Sequence, residues 1–390
     1  MLAPTPYFAD RGCHVRIYEE ARALMALGHD VRIATYHLGH DMPGIPTVRT
    51  VRVPWYSKLA AGPSWHKPYL DILLFFTALK EARSFRPHLI HAHLHEGGFI
   101  GAFLAKILHL PLLFDCQGSL TGELTDHGFV RKDSLLFRLF ARLEGWINRA
   151  ADAIVTSSGA GRDDLVRRWG IPAEKATALI DGVDTAVFRP YPRDEVRRRL
   201  RISPDVPLVV FLGVLNRYQG IDLILSAAVI LKAHGSPVRF LVMGFPEEGY
   251  RQKARELGVD DMVTFTGRID YAKAPVYLSA GDLAVSPKIS PTEANGKLFN
   301  YMACGLPTIV FDTPVNREIL GDSGVYARFG DAGDLANRVT ELAANAKRRE
   351  ELSRQVRERA EREHSWQARG MALEELYRTV LRRRGGAGRR

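Results

Sequence analysis

The chain has 390 residues, 46% of them hydrophobic and 25% charged, which is typical of a soluble globular protein with room for two domains. Three scattered cysteines exclude a disulfide framework and a cysteine-based metal cluster. The formal net charge of +10 favours anionic partners such as phosphates or lipid headgroups, but no aromatic-and-basic nucleic-acid module is present, so nucleic acid is not expected as a partner.

Neither a leader nor a membrane span is expected. The start, MLAPTPYFADRG, has no basic segment followed by an apolar run. The longest apolar stretch, YLDILLFFTAL, is about half as long as the ~20 residues of a membrane helix and contains Asp71. We therefore expect a cytoplasmic protein, peripheral on the inner face of the membrane if it contacts one. The first strand is so short that a few native residues are expected to precede Met1.

Short apolar runs alternate with amphipathic helical patterns along the chain. HDVRIATYH, PHLIHAH, LPLLFDCQG and ADAIVTSS predict strands in the first half, and HVRIYEEARALMALG predicts a helix just before the first of these. In the second half the predicted strands are PLVVFLGVL, VRFLVMGF, MVTFTGR, DLAVSP and LPTIVFD. This alternation predicts parallel sheets with right-handed crossovers, that is, an α/β protein with two Rossmann-like domains.

The predicted domain boundary lies in FRPYPRDEV, where two prolines and a charge cluster interrupt the pattern. We assign residues 1–188 to a first domain, 189–365 to a second, 366–383 to a C-terminal helix and 384–390 to a basic, disordered tail. In open parallel sheets, ligands bind beyond the carboxyl ends of the strands. The loops after the strands are therefore the places to look for chemistry.

Two of these loops carry glycine before a helix. Gly12 follows the first strand, and the turn NRYQG, with Arg217 and Gly220, follows PLVVFLGVL. Glycine lets backbone N–H groups approach a ligand, and a helix N-terminus favours an anion. A plain strand-to-helix turn explains either loop equally well.

The segment PTEANGKLFNYMACGLPTIV is more specific. Glu293 lies in the loop after DLAVSP, and Asn295 and Gly296 precede a helix predicted from about Lys297 to Cys304. Backbone N–H groups there, with Lys297 beside them, would cradle a phosphate. Asn300, one turn further on, could hydrogen-bond a ribose hydroxyl; a polar residue on an exposed face is the alternative.

Taken together in order and spacing, these segments resemble the retaining glycosyltransferases of family 4 over nearly the whole chain. ALIDGVDTAVFRP is similar to the family's N-G-V-D-x-x-x-F-x-P joint, with Asp181 in place of the asparagine. LGVLNRYQGIDLIL resembles its G-R-L-x-x-x-K-G-x-D phosphate loop, and VTFTGRIDYAKAPVYLSAGDLAVSP its V-x-F-x-G and A-D-x-x-x-x-P-S. YMACGLPTIVFDTPVNREIL resembles E-A-M-A-C-G-x-P-V-V, and HSW…LYRTVL the closing helix.

The resemblance implies the GT-B fold: two Rossmann-like domains facing each other across a cleft, with the C-terminal helix packing back on the first. It implies metal-independent, retaining transfer of a hexose or N-acetylhexosamine from a UDP- or GDP-sugar held by the second domain. The acceptor, a lipid-linked or glycan hydroxyl, would bind the first domain. No cofactor is expected.

The chain departs from the family pattern at the phosphate loop. The family's arginine falls on Val214 and its lysine on Gln219. Protein cations must stabilise the departing diphosphate when no metal does so. We hypothesise that Lys297, together with Arg217, supplies the missing charge; Lys288 is a further candidate.

The family's pair of glutamates is also changed. Alignment on MACG places Asn300 at the second glutamate and Thr292 at the first, with Glu293 one place along. A one-residue change in loop length would return Glu293 to the donor sugar, and an amide can serve the ribose. The predicted catalytic residues are Glu293, Lys297 and Arg217; the predicted donor-binding residues are Gly12, Gly213, Gln219, Asn295, Gly296 and Asn300.

Acceptor contacts are predicted in the first domain. Gln117 of FDCQG stands where the family often has the histidine of T-x-H-G. HAHLHEGG adds His93, His95 and Glu96, for which packing and acceptor contacts are favoured over a zinc site, so no metal ligand is assigned. Residues 53–87, with Trp55 and Trp65, mix aromatic, basic and apolar side chains and predict either an anionic membrane surface contact or a buried helix.

Two alternatives remain for the function. Val214, Gln219 and Asn300 are compatible with a sugar-nucleotide-binding protein that has lost catalysis. A sugar-nucleotide epimerase of the same fold is the other.

Overall fold

The computed structural model describes residues 1–9, 12–59, 64, 66–126, 128–132, 134–290 and 295–387. They form two compact units: Met1–Ile180 with Trp366–Arg390, and Asp181–Ser365. The division precedes the predicted boundary in FRPYPRDEV. Phe188 of that stretch is buried, and its carbonyl accepts a hydrogen bond from Arg357, which ties the stretch to the second unit.

The first unit is built on a seven-stranded parallel sheet. Its strand order is β3 (Thr47–Arg49), β2 (Ile33–Thr35), β1 (Leu2–Ala3), β4 (Ile90–His93), β5 (Leu112–Cys116), β6 (Ala153–Thr156) and β7 (Ala176–Ala178). The two edge strands, β3 and β7, are three residues long and were not predicted. Their half-exposed positions lack the continuous apolar run that marks the central strands.

Helices cover this sheet. They are α1 (Gly12–Ala26), α2 (Lys67–Phe85), α3 (Leu94–Leu108), α4 (Leu120–Asp126), α5 (Leu135–Ala150) and α6 (Gly159–Trp169). The C-terminal helix α15 (Trp366–Ala387) also belongs to this unit and packs against α1. It continues into residues 384–387 of the predicted tail, and residues 388–390 lie outside the described chain.

The second unit contains a six-stranded parallel sheet. The order is β10 (Val263–Gly267), β9 (Arg239–Met243), β8 (Leu208–Leu212), β11 (Leu283–Ser286), β12 (Thr308–Phe311) and β13 (Val325–Ala327). Its helices are α7 (Arg193–Arg199), α8 (Ile221–Ala233), α9 (Glu248–Glu256), α10 (Ala274–Leu278), α11 (Lys297–Ala303), α12 (Pro314–Leu320), α13 (Ala332–Ala344) and α14 (Ala346–Glu363).

Each sheet has one topological switch point. In the second unit the chain leaves β8 to form β9 and β10 on one side, then returns to place β11 on the other side of β8. The loops after β8 and β11 therefore lie side by side at this switch point, which is where open parallel sheets bind ligands. The first unit has the same arrangement at β1 and β4. Among the described residues, no helix combines the length and apolar character needed to cross a bilayer.

Candidate functional site

The loops after β8 and β11 are held together at the switch point of the second unit. The backbone N–H of Ile289 donates to the carbonyl of Tyr218 over 2.9 Å. Gly220 has φ +79°, and a Cβ on it would lie 2.0 Å from the carbonyl oxygen of Pro287. Asn216 accepts the N–H of Gln219 over 2.8 Å and so caps the turn. The two loops form one pre-shaped edge.

Lys297, the first residue of α11, connects that edge. Its Nζ donates to Gln219 Oε1 over 2.5 Å and lies 3.5 Å from Asn295 Oδ1. It sits 5.1 Å from the ring centroid of Phe211 and 3.6 Å from the position of a Cβ built on Gly213. The structure thus brings together predicted site residues from two distant segments of the chain: the donor-binding Gly213, Gln219 and Asn295 and the catalytic Lys297.

Asn295 has a structural task in this arrangement. Its side chain is buried, accepts a hydrogen bond from Ser286 Oγ over 3.0 Å and donates to Asn316 Oδ1 over 3.3 Å. Asn316 in turn donates to the carbonyl of Phe311 over 2.8 Å. Asn295 therefore anchors the start of α11 to β11 and β12 through its side chain.

Two of the backbone N–H groups at the start of α11, which were predicted to cradle a phosphate, are already hydrogen-bonded within the chain. The helix has seven residues, and the N–H groups of Leu298 and Phe299 already donate to the carbonyls of Asn295 and Gly296. Lys297 and Asn300 are the two residues of α11 that keep partial exposure, whereas the other five side chains are buried. They lie one turn apart on one face of the helix, so the ammonium of Lys297 and the amide of Asn300 can face the same ligand.

Four other residues were predicted for the donor site: Arg217, Lys288, Gly12 and Glu293. Arg217 lies in the turn after β8 with an exposed side chain, which no described contact joins to Lys297. Lys288 is buried, with its Nζ 5.5 Å from the ring centroid of Tyr218. Gly12 begins α1 in the first unit. Glu293 lies outside the described residues.

Two predicted acceptor residues are not exposed. His93 ends β4 and His95 lies at the start of α3; they are 0% and 7% exposed, because β4 is a central strand and α3 follows it without a loop. Both side chains are buried in this structure, and their role as acceptor contacts stays a prediction. Gln117 is half-buried and donates to Asp115 Oδ2 over 2.7 Å.

Glu96 is half-buried and accepts a hydrogen bond from Lys67. Burial alone would raise the pKa of Glu96, but the adjacent ammonium outweighs it and holds that pKa below its ordinary value. Glu96 is therefore an ionised carboxylate already paired with a cation.

A buried cluster that the sequence analysis did not foresee lies beneath α1. Asp115 Oδ2 accepts from Arg16 Nε and from His93 Nδ1, both over 2.9 Å. Arg16 Nε also lies 3.1 Å from Glu20 Oε1. One ligand atom each from Glu20, His91, His93 and Asp115 lie within 4.8 Å of one another, so these four side chains could hold a metal ion. The alternating histidines in HAHLH were the visible signal; Glu20 and Asp115 had none.

The comparisons with known proteins concern the whole chain. A family model described as Glycosyl transferase 4-like domain matches residues 11–182, and one described as Glycosyl transferases group 1 matches residues 192–359. The chain is 25% identical to a D-inositol 3-phosphate glycosyltransferase of Thermomonospora curvata, over 94% of this chain and 90% of that protein.

Solved structures agree on the architecture. Sucrose-phosphate synthase from Thermosynechococcus elongatus superposes with a TM-score of 0.81 at 22% identity, covering 97% of this chain and 96% of that one. HepE of Anabaena, solved in complex with UDP-glucose, superposes with a TM-score of 0.76 at 17% identity, covering 97% and 98%.

Proposed function

The chain belongs to the glycosyl transferases of group 1, nucleotide-sugar enzymes with the GT-B fold, and on this premise we propose its reaction. It transfers a hexose or N-acetylhexosamine from a UDP- or GDP-sugar to a hydroxyl of a lipid-linked or glycan acceptor. The transfer retains the configuration of the anomeric carbon and uses no metal ion.

The observation that carries the proposal is the position of the Lys297 ammonium. Gln219 stands where the family's phosphate-loop lysine would be, and Lys297 Nζ donates to that amide over 2.5 Å. This contact, at the switch point of the second sheet, supports Lys297 as the group that supplies the missing charge. Its contacts with the amide oxygens of Gln219 and Asn295 position the ammonium at this edge.

The chemistry requires such a charge. As the bond from the anomeric carbon to the diphosphate oxygen breaks, negative charge grows on the diphosphate, and a fixed cation stabilises it. The acceptor oxygen forms the new bond on the same face, and the departing phosphate oxygen takes the acceptor's proton. Glu293 is proposed to contact the sugar hydroxyls and Asn300 the ribose.

Nucleotide binding and product analysis test this function. Calorimetric titration with UDP and GDP selects the base, and HepE, solved with UDP-glucose, favours UDP. A donor panel with an NMR readout of the product then shows whether the anomeric configuration is retained. Full turnover after treatment with a chelator is expected.

The alternatives give different results in the same assays. A binding protein without catalysis would take up nucleotide but neither hydrolyse nor transfer any donor sugar, with Glu293→Ala indistinguishable from wild type. An epimerase would convert the donor to its epimer without an acceptor. Either outcome would overturn the proposed transfer.

We also propose a docking face for an anionic membrane in the first unit. On α3 the exposed side chains are Phe99, Phe103, Lys106 and Ile107. On α5 they include Leu135, Arg138, Leu139, Arg142 and Trp146, of which Leu135 is 82% exposed. We call these nine residues the α3–α5 face.

The α3–α5 face is continuous. The Trp146 ring centroid lies 5.7 Å from those of both Phe99 and Phe103, which joins the two helices across their exposed sides. Every exposed residue of these two fully described helices is apolar, neutral or basic, while Glu96 is half-buried and Glu144 buried. Exposed apolar side chains interleaved with cations are the composition of a helix that lies on an anionic bilayer.

Vesicle sedimentation tests this face. Binding to vesicles containing half phosphatidylglycerol, and not to pure phosphatidylcholine, is expected. Reversing two charges, in Arg138→Glu with Arg142→Glu, should weaken binding at least tenfold, since each cation near the surface contributes about 1 kcal/mol. The comparison variant is Trp55→Ser with Trp65→Ser, in the segment predicted from sequence. Trp55 is exposed, and Trp65 lies outside the described residues. Binding that resists the charge reversal would exclude the α3–α5 face.

A further inference from the structure

The buried cluster in the first unit has the geometry of a metal site rather than of simple packing. His91 and His93 alternate along β4 with ring centroids 4.2 Å apart. Their Nε2 atoms lie 3.9 and 4.0 Å from the same oxygen, Glu20 Oε2. These separations are too long for hydrogen bonds. His91 Nε2, His93 Nε2 and Glu20 Oε2 are thus three potential metal ligands that lie close together, and neither nitrogen is hydrogen-bonded to the carboxylate oxygen.

The other ring nitrogens are already engaged. His93 Nδ1 bonds Asp115 Oδ2 over 2.9 Å, and His91 Nδ1 bonds the hydroxyl of Tyr377 over 2.7 Å. Metal-binding histidines characteristically use one nitrogen for the ion and the other for a carboxylate or a second polar group that orients the ring. Both rings are held so that Nε2 faces Glu20.

The Nε2 atoms themselves are unsatisfied. Both are buried, and neither has a hydrogen-bond partner among the described residues. Buried polar atoms are nearly always partnered, so two such atoms aimed at one carboxylate oxygen indicate an occupant. Burial also lowers the pKa of both histidines, which keeps the imidazoles neutral as ligands.

We infer that His91 Nε2, His93 Nε2 and Glu20 Oε2 bind one divalent transition-metal ion of the zinc class, with Asp115 and Tyr377 positioning the histidines. Zinc bonds of about 2.1 Å in a tetrahedral site place ligand atoms about 3.4 Å apart, so the cluster needs to close by about half an ångström. The ligand side chains are at most 2% exposed, so the ion is structural. It would tie α1 to β4 and, through Tyr377, to α15. This inference does not depend on the proposed function.

Metal analysis of the full chain, with any affinity tag removed, tests the site. The protein is stripped with a chelator, loaded with Zn²⁺, passed through a desalting column and analysed by mass spectrometry. One ion per chain is expected, and Co²⁺ in its place should give a visible absorption band from the bound ion. At 100 times its Kd, zinc should raise the melting temperature by about 5 °C or more.

Two variants locate the ion. Glu20→Gln keeps the shape but removes the charged ligand, and should weaken zinc binding at least 100-fold. His95→Gln alters a buried histidine whose Nε2 lies 3.8 Å from Glu144, outside the cluster, and should bind zinc like wild type. Less than a tenth of an ion per wild-type chain, or unchanged zinc affinity in Glu20→Gln, would overturn the inference. The wild-type result decides the matter even if a variant fails to fold.

Discussion

Replacing Lys297 by alanine tests the donor site most directly. Lys297 Nζ lies 3.6 Å from the position of a Cβ on Gly213, so a phosphate resting against that glycine would lie about 4 Å from the ammonium. Two unit charges at that separation interact by about 4 kcal/mol at an effective dielectric constant of about 20. Because about 1.4 kcal/mol changes a rate tenfold, turnover should fall about 10³-fold.

The fold should tolerate this change. Lys297 is half-buried at the start of α11 rather than enclosed in the core, so Lys297→Ala is expected to keep its melting temperature within about 2 °C of wild type. The matched control is Lys273→Ala, since Lys273 lies in the same unit, 66% exposed and paired with Asp270. The control should keep both turnover and melting temperature. Nucleotide release and differential scanning fluorimetry measure the two quantities.

The kinetic pattern separates two roles of the ammonium. A loss in kcat with little change in donor KM means that the charge acts on the departing diphosphate in the transition state. A rise in donor KM alone would mean that Lys297 only binds the ground state. Wild-type turnover in Lys297→Ala would refute the reasoning from which the donor site is built.

Three further predictions concern other residues. Gly220→Ala should lower the melting temperature far more than Gly235→Ala. Both glycines have a positive φ, but only the Cβ at residue 220 would strike the carbonyl of Pro287. Equal losses in the two variants would mean that the contact between the loops is unimportant. Asn300→Ala should raise donor KM about tenfold at nearly constant kcat, while Asn300→Glu keeps turnover; an unchanged KM would remove the ribose role. Burial raises the pKa of Asp71 from 3.8 to about 7, so the folded state is favoured when Asp71 is protonated. This contribution to the free energy of unfolding is complete below about pH 4 and is lost as the pH rises to about 7. Between pH 5 and 8 the melting temperature of wild type should therefore fall relative to Asp71→Asn, and parallel curves would contradict it.

The fold was largely readable from local pattern. The central strand β8 is an apolar run throughout, and β5 is apolar except for Asp115, as expected of strands covered on both faces. α11 begins at Lys297, as predicted from the segment ANGKLF. The edge strands β3 and β7 were not predicted because they are short and half-exposed. Their pairing is decided by the neighbouring strands rather than by their own residues.

The candidate site was readable only in part. The placement of Lys297 beside Gln219 supports the hypothesis about the replaced cation. Arg217, predicted to join it, has an exposed side chain instead, since a turn residue's orientation depends on packing that spacing does not encode. Asn295 was predicted as part of the donor cradle, but its side chain is buried in a structural network.

The sequence by itself determined the properties that depend on residues close together in the chain. These are which segments are strands and helices, that the sheets are parallel, and which loops follow the strands. Tertiary structure alone decided that Glu20, from α1, faces two histidines of β4, and that His93 is enclosed on that central strand. The physical reason is that burial and proximity depend on strand order and helix packing, which join residues distant in the chain. HAHLH reads the same on a solvent-facing edge as it does on the central strand where the structure places it.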